Sequence, residues 1–231
     1  VSGYGLDVLV EEAREGTVNL ARLLAGSEGT LALVTEATVS LEPVPETKAV
    51  ALLTYEGLIP AMEDVAPILE HGPAAVEVLD DVLLGLAADT AEFGPVVDIL
   101  PDGTDAALLV EFYAEDDDHG REQVANLLAD RCPSAADGAE PAGGDTATVR
   151  ATEAMEAHDA ETRAKFWKMR KSGLPILLGR TSDAKHIAFI EDTAVPAENL
   201  PDYVADFREM LDEEGTFASY YAHAGPGVLH I

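Results

Sequence analysis

The stretch KAVALLTYEGLIPAMEDVAPILE, residues 48–70, decides the fold. Residues 49–55 form a short apolar run that predicts a strand. After Glu56-Gly57, residues 58–70 predict a helix, with Pro60 in its first turn and Pro67 as a kink or early stop. The alternation continues downstream. Residues 75–79 predict a strand, 81–91 a helix and 106–113 a strand. A helix is expected over 119–131, behind the acidic run Glu115-Asp116-Asp117-Asp118, whose charge suits the positive end of a helix dipole. Residues 133–144, rich in Ala, Gly, Pro, Asp and Glu, predict a flexible loop.

Beyond that loop we expect a strand over 146–151, a long helix over 152–171 and a strand over 186–191. Residues 199–213 predict an amphipathic helix, because Leu200, Tyr203, Val204, Phe207, Met210 and Leu211 fall at helical spacing. Residues 216–222 predict a closing strand, and Val228 to Ile231 also read as a strand. Two strand–helix–strand halves of this kind predict an α+β fold, a ferredoxin-like antiparallel sheet with packed helices. Upstream the pattern differs. An apolar stretch ends in Gly26-Ser27-Glu28-Gly29-Thr30, and Ala37, Val39 and Leu41 then alternate with polar residues, predicting a half-buried strand. Pro43 and Pro45 mark the boundary, giving units of 1–45 and 46–231.

The charge is unusual: 44 Asp and Glu against 14 Lys and Arg leave a net −30 over 231 residues. Soluble domains usually carry a net charge of about 2–8 in magnitude. Such a field repels nucleic acid and anionic membranes. Spread along the chain, it fits a halophilic source, since salt near 1 M shortens the Debye length to about 3 Å. The single cysteine, Cys132, forms no disulfide or cysteine-held iron–sulfur cluster within the chain. No apolar run approaches the roughly 18 residues of a membrane span, and no signal peptide is visible. Val1 in place of Met, and a strand running to Ile231, lead us to expect a piece of a longer protein.

Three segments could carry chemistry. Gly26-Ser27-Glu28-Gly29-Thr30 places two glycines three apart beside two hydroxyls, which suits either close approach to a phosphate or an ordinary tight turn. Five of the 14 basic residues lie between Arg163 and Lys171, with the only tryptophan, Trp167, among them. Arg163, Trp167 and Arg170 share one helical face. A guanidinium beside an aromatic ring suits capture of a small carboxylate, although bridges to acidic neighbours would equally explain the cluster. In the third segment, His223 and His230 flank a Gly-Pro-Gly turn that can bring two imidazoles together. Two ligands do not complete a metal site. His71, His119, His158 and His186 read as surface or structural. No nucleophile elbow, P-loop or H-E-x-x-H is present.

These segments, in this order, resemble the FAD-linked oxidase family, flavoproteins of the vanillyl-alcohol-oxidase-like type that oxidise D-2-hydroxy acids. Ser2-Gly3-Tyr4 and its neighbours resemble the family's (T/S)-G-Y-x-L stretch, and residues 26–31 its G-S-E-G-T-L segment. Residues 166–171 resemble the W-x-x-R-(E/K) helix, residues 189–196 the E-D-(T/V)-A-V-P stretch, and His223 to His230 the H-x-G-D-G-N-x-H segment. Pro226 and Val228 replace the usual Asp and Asn there.

The resemblance implies that residues 1–45 end an FAD-binding domain and that 46–231 form most of a substrate cap, truncated at its end. It implies FAD contacts at Ser2, Gly3, Tyr4, Gly26, Ser27, Glu28, Gly29 and Thr30. It implies catalytic roles for Arg170, His223 and His230, with a divalent metal on His223 and His230. The intact protein would oxidise a D-2-hydroxy acid to the 2-oxo acid. D-lactate is first in order, with glycolate and D-2-hydroxyglutarate next. Its electron acceptor would be a quinone, a cytochrome or a fused iron–sulfur domain. The setting would be the cytoplasm or the inner face of the cell membrane. The piece alone is expected to be inactive and to hold no FAD. The competing reading is a non-catalytic binding or assembly module with an inherited cap fold.

Overall fold

A computed structural model of the chain describes residues 3–132, 151–179 and 187–231. They divide into two units, Val1–Val44 and Pro45–Ile231. In the first, α1 (Leu6–Arg14) and α2 (Leu20–Ala25) are tied through Glu12, which accepts the N–H of Asn19 at 2.9 Å and pairs with Arg22 at 2.9 Å. Asn19 in turn caps α2, accepting from the N–H of Ala21 at 3.1 Å. The strand expected at Ala37, Val39 and Leu41 does not form, and Val39 and Leu41 are largely exposed. Alternation alone makes no strand. A ladder partner is required, and none of the described residues supplies one.

The second unit opens with β1 (Thr47–Tyr55), α3 (Leu58–Leu69) and β2 (Ala75–Asp80), as residues 48–70 predict. Then come α4 (Asp81–Ala88), α5 (Gly94–Val97), β3 (Ala106–Ala114) and α6 (Asp117–Arg131). Asp116, in the acidic run, caps α6 by accepting the N–H of His119 at 2.8 Å. The remainder comprises β4 (Glu153–Ala157), α7 (Ala160–Lys171), α8 (Gly173–Leu178), β5 (Thr193–Ala194), α9 (Leu200–Glu213), β6 (Tyr221–His223) and β7 (Val228–His230).

The strands make one sheet in the order β4-β1-β3-β2-β6-β7-β5, antiparallel at every described pairing. Strands β4-β1-β3-β2 with α3 and α6 are the ferredoxin-like part, and β6, β7 and β5 extend it beyond β2. Both faces are covered, so β1 to β3 are mainly apolar, with Glu77 and Glu111 among the buried exceptions. Ala51, Leu53, Val78, Leu108 and Val110 pack with residues of α3, α6 and α9. Val50, Leu52, Leu79 and Leu109 pack with Leu83 of α4, Phe166 and Met169 of α7 and Leu177 of α8. Each Val, Leu, Phe or Met among these contributes roughly 1.5–3 kcal/mol by leaving water. Inside the first layer, Tyr55 donates to Asp64 at 2.6 Å, and Arg131 donates to the same carboxylate through Nε at 2.7 Å. That cluster joins β1, α3 and α6.

Several boundaries differ from the sequence reading. The expected helix over 152–171 is instead β4 followed by α7. Glu153–Ala157 pairs with β1, and the helix starts only where Asp159 accepts the N–H of Thr162 at 2.9 Å. Of the strand expected over 186–191, residues 187–191 join no ladder; the two-residue β5 pairs with β7 instead. The closing strand is short because the hydroxyl of Ser219 and the N–H of Tyr220 are turned to Asp80. The loop expected over 133–144, residues 146–150 of the expected strand, Ser2 and His186 lie outside the described residues. Among the described residues no helix is long and apolar enough to cross a membrane.

Candidate active site

Strand alternation puts Glu77, Glu111, Tyr221, His223 and His230 on one face of the sheet, beneath α7. Pairing fixes this arrangement. Glu77 stands opposite His223 and Leu109, and Tyr221 stands opposite His230. From α7, Phe166 and Met169 anchor the helix in the core, which carries Arg170 to the sheet; Arg170 is only 7% exposed.

The guanidinium of Arg170 lies 5.4 Å from the ring centre of Tyr221. Tyr221 stacks on His230 at 4.8 Å, and His230 meets His223 edge-on at 5.5 Å. Carboxylates hold both imidazoles: Nδ1 of His223 is 2.8 and 2.9 Å from the two oxygens of Glu77, and Nδ1 of His230 is 2.5 Å from Glu191. Such contacts assign the proton to Nδ1 and leave Nε2 as the ligating or basic nitrogen. Burial, helped by the charge of Glu191, pushes the Tyr221 phenol up, and Arg170 offsets part of that.

Arg170 is the least satisfied group of the site. Its Nη2 is 2.8 Å from Glu77, an ion pair by distance, yet the N–H groups on Nε and Nη2 make no aligned hydrogen bond. Buried guanidinium donors without acceptors are costly.

The other cations near Arg170 are engaged. Lys165 pairs with Glu161 at 2.8 Å, Lys168 pairs with Glu92, and Arg163 donates to the carbonyl of His158. Bridges to acidic neighbours therefore account for Lys165 and Lys168, and a backbone carbonyl for Arg163. Arg163 and Trp167 do not join the histidines. Trp167 donates to Glu111 at 2.6 Å, and Glu111 also pairs with Lys48 at 2.9 Å.

Beside the stack, Glu191, Asp192 and His230 place possible ligand atoms within 4.8 Å of one another. His223 and His230 are together, as the sequence predicts, but each already has a carboxylate on Nδ1. Their chemistry, imidazole plus carboxylate, fits a divalent cation. His71, His119 and His158 instead contact Asp130, the Glu115 N–H and Glu156, respectively.

In the first unit, Tyr4 reaches Thr30 at 2.8 Å, so the turn at 26–30 and the segment at Gly3 and Tyr4 do meet. The hydroxyls, however, hold the turn: Ser27 donates to Leu24 at 2.8 Å and Thr30 to Ser27 at 2.6 Å. Gly26 is needed for packing, since a Cβ there would lie 2.5 Å from the Gly3 carbonyl oxygen. Glu28 and Gly29 are exposed with φ of 49° and 75°, and their N–H groups have no partner among the described residues. Backbone donors at this turn, more than its hydroxyls, fit the edge of a polar cofactor such as FAD.

A cleft of about 250 Å³ lies elsewhere, lined by Asp81, Arg208, Asp212, Phe217 and Tyr220 among others, and contains none of these groups. Glu77, Glu111 and Tyr221 were not among the residues singled out from the sequence, and Glu191 lay in the E-D-(T/V)-A-V-P resemblance without an assigned role. Glu77 and Glu111 carried a signal, since each is a carboxylate inside an apolar strand, where charge survives only with a partner.

Relatives share this chain along its length. It is 29% identical to D-2-hydroxyglutarate dehydrogenase of Pantoea ananatis over 239 residues, covering 100% of this chain and 22% of that protein. It is 31% identical to the glycolate oxidase subunit GlcD of Bacillus subtilis, covering 92% of this chain and 40% of that one. The chain thus spans well under half of the length of these relatives. The fold matches a solved alkyldihydroxyacetonephosphate synthase with a TM-score of 0.58 at 16% identity, covering 93% of this chain and 41% of that one. Residues 44–231, the whole sheet with Arg170 and both histidines, match the family "FAD linked oxidases, C-terminal domain", and the chain belongs to it.

Proposed function

We propose that this chain is the substrate-binding part of an FAD-dependent dehydrogenase that oxidises a D-2-hydroxy acid to the 2-oxo acid. In this reading residues 1–45 end the flavin domain and 46–231 form the cap. The observation that carries it is Arg170, a buried guanidinium with unsatisfied N–H groups beside two oriented imidazoles. Relatives named for 2-hydroxy-acid chemistry support it.

Arg170 binds the substrate carboxylate and fixes the acid in one orientation. His223 and His230 present Nε2 towards the hydroxyl, where a neutral imidazole accepts its proton or hydrogen bond. Tyr221 forms the floor between Arg170 and His230 and keeps water from that side. Gly3, Tyr4 and the turn at residues 26–30 would hold one edge of FAD, and His223 and His230, with Glu191 and Asp192 adjacent, would hold a divalent cation. FAD, when bound, supplies the two-electron acceptor, and a cation supplies polarisation of the hydroxyl oxygen.

D-2-hydroxyglutarate heads the substrate panel, because relatives of that name match the whole chain. D-lactate and glycolate follow. Purify the full-length protein in high salt and measure reduction of an artificial electron acceptor with each acid. Turnover of one acid, lost on Arg170→Ala, supports the reading. No turnover of any of the three sinks it and favours the assembly module.

A further inference from the structure

Glu77 occupies a singular place. It stands in the middle of β2, between Val76 and Val78, and is 5% exposed. Its carboxylate meets the imidazole of His223 and the guanidinium of Arg170 at once, each at 2.8 Å. No other described side chain is hydrogen-bonded or ion-paired to both. Packing does not explain a charge there, since a valine or leucine would suit the apolar layer of Leu79, Leu109 and Phe166 better.

We propose that Glu77 is the positioning residue of this site. It fixes the His223 tautomer through Nδ1 and balances the charge of Arg170. This leaves Nε2 of His223 and the Nε–H of Arg170 for the substrate. The inference rests on the reading of Arg170 and His223 as substrate-binding groups.

Two consequences separate this role from a structural one. An acceptor on Nδ1 keeps the second nitrogen basic, so losing the negative charge slows turnover. The same charge competes with any anion for Arg170, so losing it tightens anion binding. A purely structural Glu77 would move stability alone. Its loss would lower active protein without separating kcat from binding.

The test uses the full-length protein with three readouts: thermal unfolding, binding of oxalate by calorimetry, and kcat with KM for the acid that is turned over. Glu77→Gln keeps the shape and removes the charge. We expect kcat to fall about 10-fold to 100-fold, while oxalate binds several-fold more tightly and KM does not rise. Glu77→Asp keeps the charge but withdraws the carboxylate. It should bind oxalate within about twofold of wild type while losing kcat, and it carries the test if the Gln variant does not fold.

Folded Glu77→Gln protein with kcat and oxalate affinity both near wild type overturns the inference. So does oxalate binding weakened together with a lower melting temperature. If wild type binds oxalate but oxidises no acid, the functional reading fails. Glu77 is then judged by oxalate affinity alone: tighter binding in Glu77→Gln keeps the charge-balancing role, and unchanged binding removes it.

Discussion

The carboxylate of Asp80, at the end of β2, accepts the hydroxyl of Ser219 at 2.9 Å across 139 residues of sequence. The same group accepts the N–H groups of Leu83 at 2.9 Å and Tyr220 at 2.5 Å, joining the start of α4 to the approach to β6. It thereby anchors the strand that carries Tyr221 and His223.

Burial pushes the Asp80 carboxyl up to about 6, against the pull of these three hydrogen bonds. A raised value means that the folded chain holds this proton more tightly than the unfolded one. Stability from this source is therefore complete below about pH 4 and is lost as pH rises through about 6. The shift corresponds to about 3 kcal/mol. We expect wild type to lose stability relative to Asp80→Asn between pH 4 and pH 6.5 at constant high salt. Denaturant unfolding at several pH values checks this, and a pH-independent difference between the two would contradict it.

Asp64→Ala should be among the most damaging substitutions. It takes the carboxylate from Arg131 and Tyr55 inside a buried layer, where breaking a buried pair costs about 3–5 kcal/mol. Tyr55→Phe removes one hydrogen bond and should cost only about 1–2 kcal/mol. Unfolding curves of both variants test the ranking, which fails if the order reverses.

Gly227 closes the turn between β6 and β7 with φ of 73°, and a Cβ there would sit 1.7 Å from the carbonyl oxygen of Val195. Gly227→Ala should lose at least about 2 kcal/mol and displace His230, with loss of turnover in the intact enzyme. Gly225→Ala is the control: its Cβ would meet its nearest neighbour at 3.5 Å, an ordinary contact. Equal melting temperatures for the two variants would contradict this account.

Trp167 is the only tryptophan, so its near-ultraviolet circular dichroism in the 231-residue chain reports its contact with Glu111. Glu111→Gln keeps an acceptor for the indole N–H and should keep the band. Glu111→Leu removes the acceptor and the partner of Lys48, and should weaken the band and lower stability by about 1–3 kcal/mol. An unchanged band in the Leu variant would show that the indole does not depend on Glu111.

The sequence by itself determined the layers. Residues 48–70 gave strand, helix and boundary, since apolar runs and proline placement act through neighbours a few residues away. Cationic clustering drew out Arg163, Trp167 and Arg170 together and spacing drew out His223 and His230, while the family resemblance chose Arg170 among the cations. Their partners were not legible from spacing. Glu77 and His223 are 146 residues apart and Arg170 lies between them in sequence, so only strand register and the docking of α7 bring the three together. The same limit explains the errors. The alternation at Ala37 to Leu41 lacks a ladder partner, and residues 153–157 became a strand because β1 offered an open edge. Local chemistry chose the elements. Long-range pairing chose which carboxylate faces which cation, because a buried charge is stable only where the tertiary fold delivers its counterpart.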